Sequence, residues 1–214
     1  MDKLDIAVVP GDGVGSEVMA EGLKVLHAVA RIHGGLEFRL REFPWGCEHY
    51  LKTGRMMDDD GLDVLADHDA ILLGAVGAPG IVPDHVSLWG LLLPIRKTFD
   101  QYVNLRPIKL LQGVPGRLVG KGPDDIDFVV VRENTEGEYS GVGGRVHIGT
   151  PYEVAVQSNI FTRTGTERIM RYAFDLARAR NKSKSVVSVT KSNACNYSMV
   201  FWDEVFREVA RDYP

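Results

Sequence analysis

Two polar clusters, each just past the end of an apolar run, hold the side chains best suited to chemistry. Arg132-Glu133-Asn134-Thr135-Glu136-Gly137-Glu138-Tyr139-Ser140-Gly141 follows the run Phe128 to Val131, and Lys191-Ser192-Asn193-Ala194 follows Val186-Val187-Ser188-Val189. Open α/β sheets place reacting groups at such strand ends. Arg96, in a helical pattern, and Arg106, in Asn104-Leu105-Arg106-Pro107, bring guanidinium groups from two further elements. Such a set suits a small substrate carrying carboxylates, because the planar fork of arginine binds carboxylate in a bidentate way. Taken singly, each arginine is more often a surface or salt-bridge residue. Glu133, Glu136 and Glu138 are near enough in sequence to neutralise them.

The rest of the composition narrows the class. The chain has 214 residues, 44% of them hydrophobic, enough for one large or two small cores. Cys47 and Cys195 are its only cysteines, too few for a disulfide framework or a zinc site. With no signal peptide and no apolar run of membrane length, a cytoplasmic setting is expected. The net charge of −4 and the lack of a basic tract argue against nucleic acid and anionic membrane as partners.

These side chains have to be held by alternating strands and helices. Leu4 to Val9 reads as a strand, and a helix from about Ser16 to Ile32 has Val18, Met19, Leu23, Leu26 and Ala30 on one face. Leu36 to Phe43 reads as a strand, Gly61 to Ala66 as a short helix, and Ala70 to Leu73 as a buried strand entering Gly74-Ala75-Val76-Gly77. A helix over Leu91 to Tyr102 and a strand over Val103 to Ile108 follow, then a glycine- and proline-rich loop from Gly113 to Pro123. Thr164 and Glu167 have the spacing of a capping box before a helix carrying Ile169, Tyr172, Ala173, Leu176 and Ala177 on one face. A last helix covers Ser198 to Arg211. The alternation predicts an α/β fold with a mainly parallel sheet, a first domain over 1–102 and a second over 103–214. The chain stops just after Tyr213 without a closing strand, so both domains are expected to be incomplete.

Gly11-Asp12-Gly13-Val14-Gly15 stands where glycine-rich turns cradle dinucleotide phosphates. Ser16 replaces the third glycine of that fingerprint, so a structural turn and a phosphate site both remain open. Asp58-Asp59-Asp60 reads as a solvated helix start rather than a metal site, because adjacent side chains do not converge on one ion.

Taken in order, Gly11 to Gly15, Arg96-Lys97 with Asn104 to Pro107, Arg132 to Gly141, and Thr190 to Ala194 resemble the metal-dependent β-decarboxylating dehydrogenases, a family that includes isopropylmalate, isocitrate and tartrate/D-malate dehydrogenases. The resemblance runs the length of the chain. It implies the isopropylmalate dehydrogenase-like two-domain fold, distinct from the dinucleotide-binding Rossmann fold, in which the glycine turn does not bind cofactor phosphates. It implies NAD and Mg²⁺ or Mn²⁺ as cofactors, with K⁺ as a further ion, and a homodimer formed by the second domain. Arg96, Arg106 and Arg132 would hold the substrate carboxylates. Lys191, reaching in from a neighbouring subunit, would take the hydroxyl proton, and Tyr139 would protonate the enol carbon. Cofactor contacts are expected at Ala75, Val76 and Gly77, at Leu88 and Trp89, and at Asn193 across the dimer interface. No metal ligand is expected in this segment. The aspartates that hold the metal, most of the adenosine pocket and the return strands belong to a later part of family members, so the 214 residues alone are expected to be inactive.

The branch of the family follows from local residues. The isocitrate branch has a serine where this chain has Gly90, and the isopropylmalate branch a glutamate where it has Leu88. Ser87-Leu88-Trp89-Gly90 resembles the tartrate/D-malate dehydrogenases instead, and bulky Trp89 would shorten the pocket. A four-carbon hydroxy acid, tartrate or D-malate, is the first choice and 3-isopropylmalate the second. A non-catalytic carboxylate-binding or regulatory subunit is the alternative of another class, and the presence of Lys191, Tyr139 and the arginines speaks against it. A Rossmann binding domain built on Gly11 to Gly15 is a third.

Overall fold

Strand β1 (Asp2–Gly11) is central to the first half of the protein, and its sequence shows why. Ile6, Ala7, Val8 and Val9 are all buried, as a strand covered on both faces requires. The computed structural model describes residues 2–214, which divide into two compact units between Phe99 and Asp100. In the first unit β1 pairs in parallel with β2 (Leu36–Glu42) on one side and β3 (Ala70–Ala75) on the other. Ala7 and Val9 enter the larger core with Phe43, Trp45, Leu65, Leu91 and Ile95, while Ile6 and Val8 meet Met19 of helix α1 (Val14–His33). Each of the larger aliphatic and aromatic side chains here, taken fully from water, contributes about 1.5–3 kcal/mol.

Helix α1 buries Met19 and half-buries Leu23, Leu26 and Ala30, a stripe at four- and three-residue spacing. Val18, expected on that face, lies off the stripe and is 51% exposed. The helix ends at Gly34, whose left-handed backbone lets its amide donate to the Ala30 carbonyl. Helix α2 (Cys47–Thr53) has no forerunner in the sequence reading, whereas α3 (Gly61–Ala66) keeps its expected bounds. The single helix expected over Leu91 to Tyr102 is instead α4 (Asp84–Ser87), a π-helical turn (Leu88–Leu92) and α5 (Leu93–Thr98). The helical run stops early because Asp100 adopts φ 43, and from there Gln101 and Tyr102 belong to the second unit, where their carbonyls accept from Asn134.

In the second unit the strand pairs are antiparallel rather than parallel. β4 (Val103–Lys109) pairs with β5 (Asp127–Glu133), and β6 (Gly137–Val146) with β7 (Val154–Ile160). Helices α6 (Arg163–Arg180) and α7 (Ser198–Ala210) pack through Ile169, Met170, Val205 and Val209, joined by Val103 and Val131. The cap of α6 is Thr162, whose hydroxyl accepts from the Gly165 amide, so the expected Thr164 and Glu167 box lies inside the helix. The strand expected over Val186 to Val189 does not form. That segment and β5 both line a cavity of about 780 Å³, and Val187 is 79% and Val189 87% exposed.

Candidate active site

The first unit brings together the loop after β3 and the π-helical turn. A side chain on Gly77 would meet Ser87 Oγ at 3.7 Å and Asp84 Oδ1 at 3.8 Å, so the Gly74 to Gly77 loop lies against the start of the helical run that carries Leu88, Trp89 and Arg96. Ala75, Val76, Gly77, Leu88 and Arg96 are half-buried, and Trp89 is 44% exposed with the Lys97 ammonium 4.7 Å from its ring centre. π-helical turns often mark functional positions, since the extra residue redirects the side chains around it. Gly90 packs on Met56: a serine there would bring its Cβ to 2.6 Å from Met56 Cγ.

In the glycine turn, Gly11 and Gly15 are closely packed whereas Gly13 is exposed. A Cβ on Gly11 would strike the Ala75 carbonyl, and one on Gly15 the Pro10 carbonyl, so both glycines serve close packing of β1 and α1 on β3. Between them Asp12, absent from the sequence-derived candidates, is a buried carboxylate bonded to the Cys47 and Gly77 amides. The signal was its place in a glycine turn, where an aspartate side chain commonly binds nearby backbone.

In the second unit the β4–β5 register assembles the arginine group. Asn104 lies opposite Arg132, and Arg106, two residues on, shares that face of the ladder. Arg106 Nε donates to Asn104 Oδ1 at 3.0 Å, and Asn104 Nδ2 to Asn134 Oδ1 at 3.3 Å. Arg132 Nη2 donates to the Tyr139 hydroxyl at 2.8 Å, joining the end of β5 to β6. Arg106 is exposed, while Arg132 and Tyr139 are half-buried. Lys191 and Asn193 are exposed in a turn that Lys191 closes with its carbonyl, accepting from the Ala194 and Cys195 amides at 3.0 and 2.9 Å.

The glutamates do other work than neutralising these arginines. Glu133 accepts from the Thr135 and Glu136 amides, bracing the turn between β5 and β6. Glu136 accepts from the Thr162 amide at 2.9 Å, at the start of α6, and Glu138 from Asn159 at 3.5 Å. Arg168 carries the ionic partner of that region, pairing with both oxygens of Asp100, which raises its pKa, and lying 4.3 Å from the Tyr102 ring centre. Asp58 binds the Trp45 indole and lies beside His49, and Asp59 pairs with Arg55. Among the described residues no three His, Cys, Asp or Glu side chains gather as a metal site, and no helix is long and apolar enough to cross a membrane.

The isocitrate/isopropylmalate dehydrogenase family model matches residues 5–214, and the chain belongs to that family. It is 53% identical over 213 residues to the probable tartrate dehydrogenase/decarboxylase of Bacillus subtilis (strain 168), covering 100% of this chain and 59% of the relative. It is also 53% identical over 215 residues to the D-malate dehydrogenase [decarboxylating] of Escherichia coli (strain K12), with the same coverage. The isocitrate dehydrogenase of Methylococcus capsulatus superposes with a TM-score of 0.81 at 29% identity, over 99% of this chain and 58% of that one. The two-domain α/β fold of the family is thus present over somewhat more than half of its length in these relatives.

Proposed function

We propose that the protein containing this chain oxidises and decarboxylates a small 2-hydroxy dicarboxylic acid, D-malate or tartrate, with NAD as hydride acceptor. The observation that carries this is the Arg132–Tyr139 contact beside Arg106 on one face of the β4–β5 ladder, together with relatives of similar sequence named for tartrate and D-malate. Arg106 and Arg132 bind substrate carboxylates, the role proposed for Arg96 as well. Lys191, contributed by the partner in a homodimer formed by the second unit, takes the hydroxyl proton as hydride leaves C2. The carboxylate on C3, β to the new carbonyl, departs as carbon dioxide, and the C3–C4 bonding pair passes into the enolate of the C2 carbonyl. Tyr139 gives its proton to the enol carbon.

NAD supplies the hydride acceptor, and the half-buried Ala75 to Gly77 loop with Leu88, Trp89 and the partner's copy of the Asn193 turn would hold it. The described residues do not fit a divalent cation, since its hard oxygen ligands have no cluster here, so no step of the scheme runs through Mg²⁺ or Mn²⁺. Trp89, which would shorten the pocket, favours a substrate without a long side group.

The test is NADH formation by the whole protein with D-malate, tartrate, 3-isopropylmalate and isocitrate. The highest kcat/KM is expected for D-malate or tartrate; preference for isopropylmalate would overturn the substrate assignment, and no NADH with any of them would overturn the activity.

A further inference from the structure

Asp12 has no part in the scheme above, yet it is only 6% exposed and faces the proposed cofactor loop. Its Oδ2 accepts from the Gly77 amide at 2.8 Å, its Oδ1 accepts from the Cys47 amide at 2.6 Å, and its own amide donates to the Ala75 carbonyl at 2.6 Å. One residue therefore grips the Ala75 to Gly77 loop at both ends and fastens it to the first residue of α2. The surroundings are shaped to admit it. A side chain on Gly46 would come to 2.6 Å from Asp12 Oδ1. Gly77 has φ +115, which side chains rarely adopt, and its amide, bonded to Asp12, also lies within reach of the Cys47 sulfur.

A carboxylate that only capped α2 would need one oxygen. The second oxygen, spent on Gly77, couples the turn after β1 to the loop after β3, and buried charge-assisted bonds of this kind are the stronger class.

We propose that Asp12 is a positioning residue for the nicotinamide cofactor, acting by fixing the Ala75 to Gly77 loop. The proposal rests on the reading of that loop as a cofactor contact. The neighbouring Cys47 thiol, pushed up to about 11 chiefly by burial and then by Asp12, stays protonated beside the carboxylate.

The experiment compares Asp12→Asn, Asp12→Ser and Gly77→Ala in the whole protein, with melting followed in parallel. Two quantities are read: hydrogen exchange at the Gly77 amide, and NAD binding and kinetics. In Asp12→Asn the Gly77 amide is expected to exchange at least about tenfold faster while amides of Val8 and Val9 keep their protection. KM for NAD should rise about five- to tenfold, with kcat at saturating NAD changed less than about twofold. Asp12→Ser, which fits the same space, serves if the asparagine variant does not fold. Unchanged Gly77 exchange, or faster exchange with unaltered NAD affinity, overturns the role of Asp12. Gly77→Ala separates the two ideas. If it too leaves NAD affinity unaltered, the loop is not the cofactor contact; if it weakens NAD while both Asp12 variants do not, only the positioning role falls.

Discussion

Arg132 donates to the hydroxyl oxygen of Tyr139 at 2.8 Å, and this fixes which way the phenol can use its own proton. An oxygen that accepts from a guanidinium has its hydrogen directed elsewhere, so the pair presents Tyr139 as a donor. Tyr139→Phe is therefore expected to slow protonation of the enol by about 10²- to 10⁴-fold, the usual range for a positioned acid. Rapid-quench or isotope-exchange measurement of the step after carbon dioxide release checks it. Parental turnover on D-malate would remove Tyr139 from the reaction.

Lys191 is asked for one proton only, the one on the substrate hydroxyl. Lys191→Met should abolish oxidation of D-malate while leaving decarboxylation of supplied oxaloacetate within about tenfold of the parent, because a keto acid has no hydroxyl proton to give. Equal loss of both activities would show that Lys191 binds substrate rather than acting as base.

Trp89 is 44% exposed, with Lys97 over its ring, and Gly90 beside it is closed by Met56. Trp89→Ala is expected to raise kcat/KM for 3-alkyl malates relative to D-malate by roughly 10-fold or more, since each methylene in an apolar pocket is worth about 1–3 kcal/mol. A constant ratio across the alkyl series would place Trp89 away from the substrate. Gly90→Ser, by contrast, should lose stability before it changes specificity, unless Met56 is shortened as well.

The first unit was legible because its signals are local. A continuous apolar strand, helical spacing from Met19 to Ala30 and the glycines after β1 and β3 each follow from the residues themselves. The second unit was harder. β6 carries Gly137, Gly141, Gly143 and Gly144, a composition that reads as loop, yet Gly143 is needed because a Cβ there would strike the Val156 carbonyl across the hairpin. Val186 to Val189 has strand composition but pairs with no strand among the described residues, which propensity alone cannot report. Arg132, Tyr139 and Arg106 could be picked out by type and spacing; that Glu133 and Glu136 brace backbone rather than balance arginines depends on where α6 begins.

Gly165 and Glu136 show that dependence most directly. A Cβ on Gly165 would strike the Glu136 carboxylate, which accepts from the Thr162 amide at the head of α6. Gly165→Ala is expected to cost about 1–3 kcal/mol through overpacking, although alanine is the better helix former. Glu136→Ala should cost about 0.5–2 kcal/mol through the lost cap. In the double variant the two should be less than additive, as alanine at 165 then meets no carboxylate. Urea unfolding of the four proteins checks the cycle, and full additivity would mean that the contact does not decide the cost.

Cys47 gives the protein a dependence on alkaline pH. Burial, then Asp12, raise its thiol from 9.0 to about 11. Below pH 9.0 the thiol keeps its proton whether the chain is folded or not, so its contribution to stability is whole there. As pH rises toward about 11 the unfolded thiol ionises first, the unfolded state binds fewer protons than the native one, and stability falls. Cys47→Ala should flatten that part of the pH profile while costing some packing at every pH. Alkylation mapped by mass spectrometry should accordingly label exposed Cys195 well before buried Cys47. Chemical unfolding of parent and variant across the alkaline range decides the point: parallel curves would show that the Cys47 thiol titrates alike in the folded and unfolded chain.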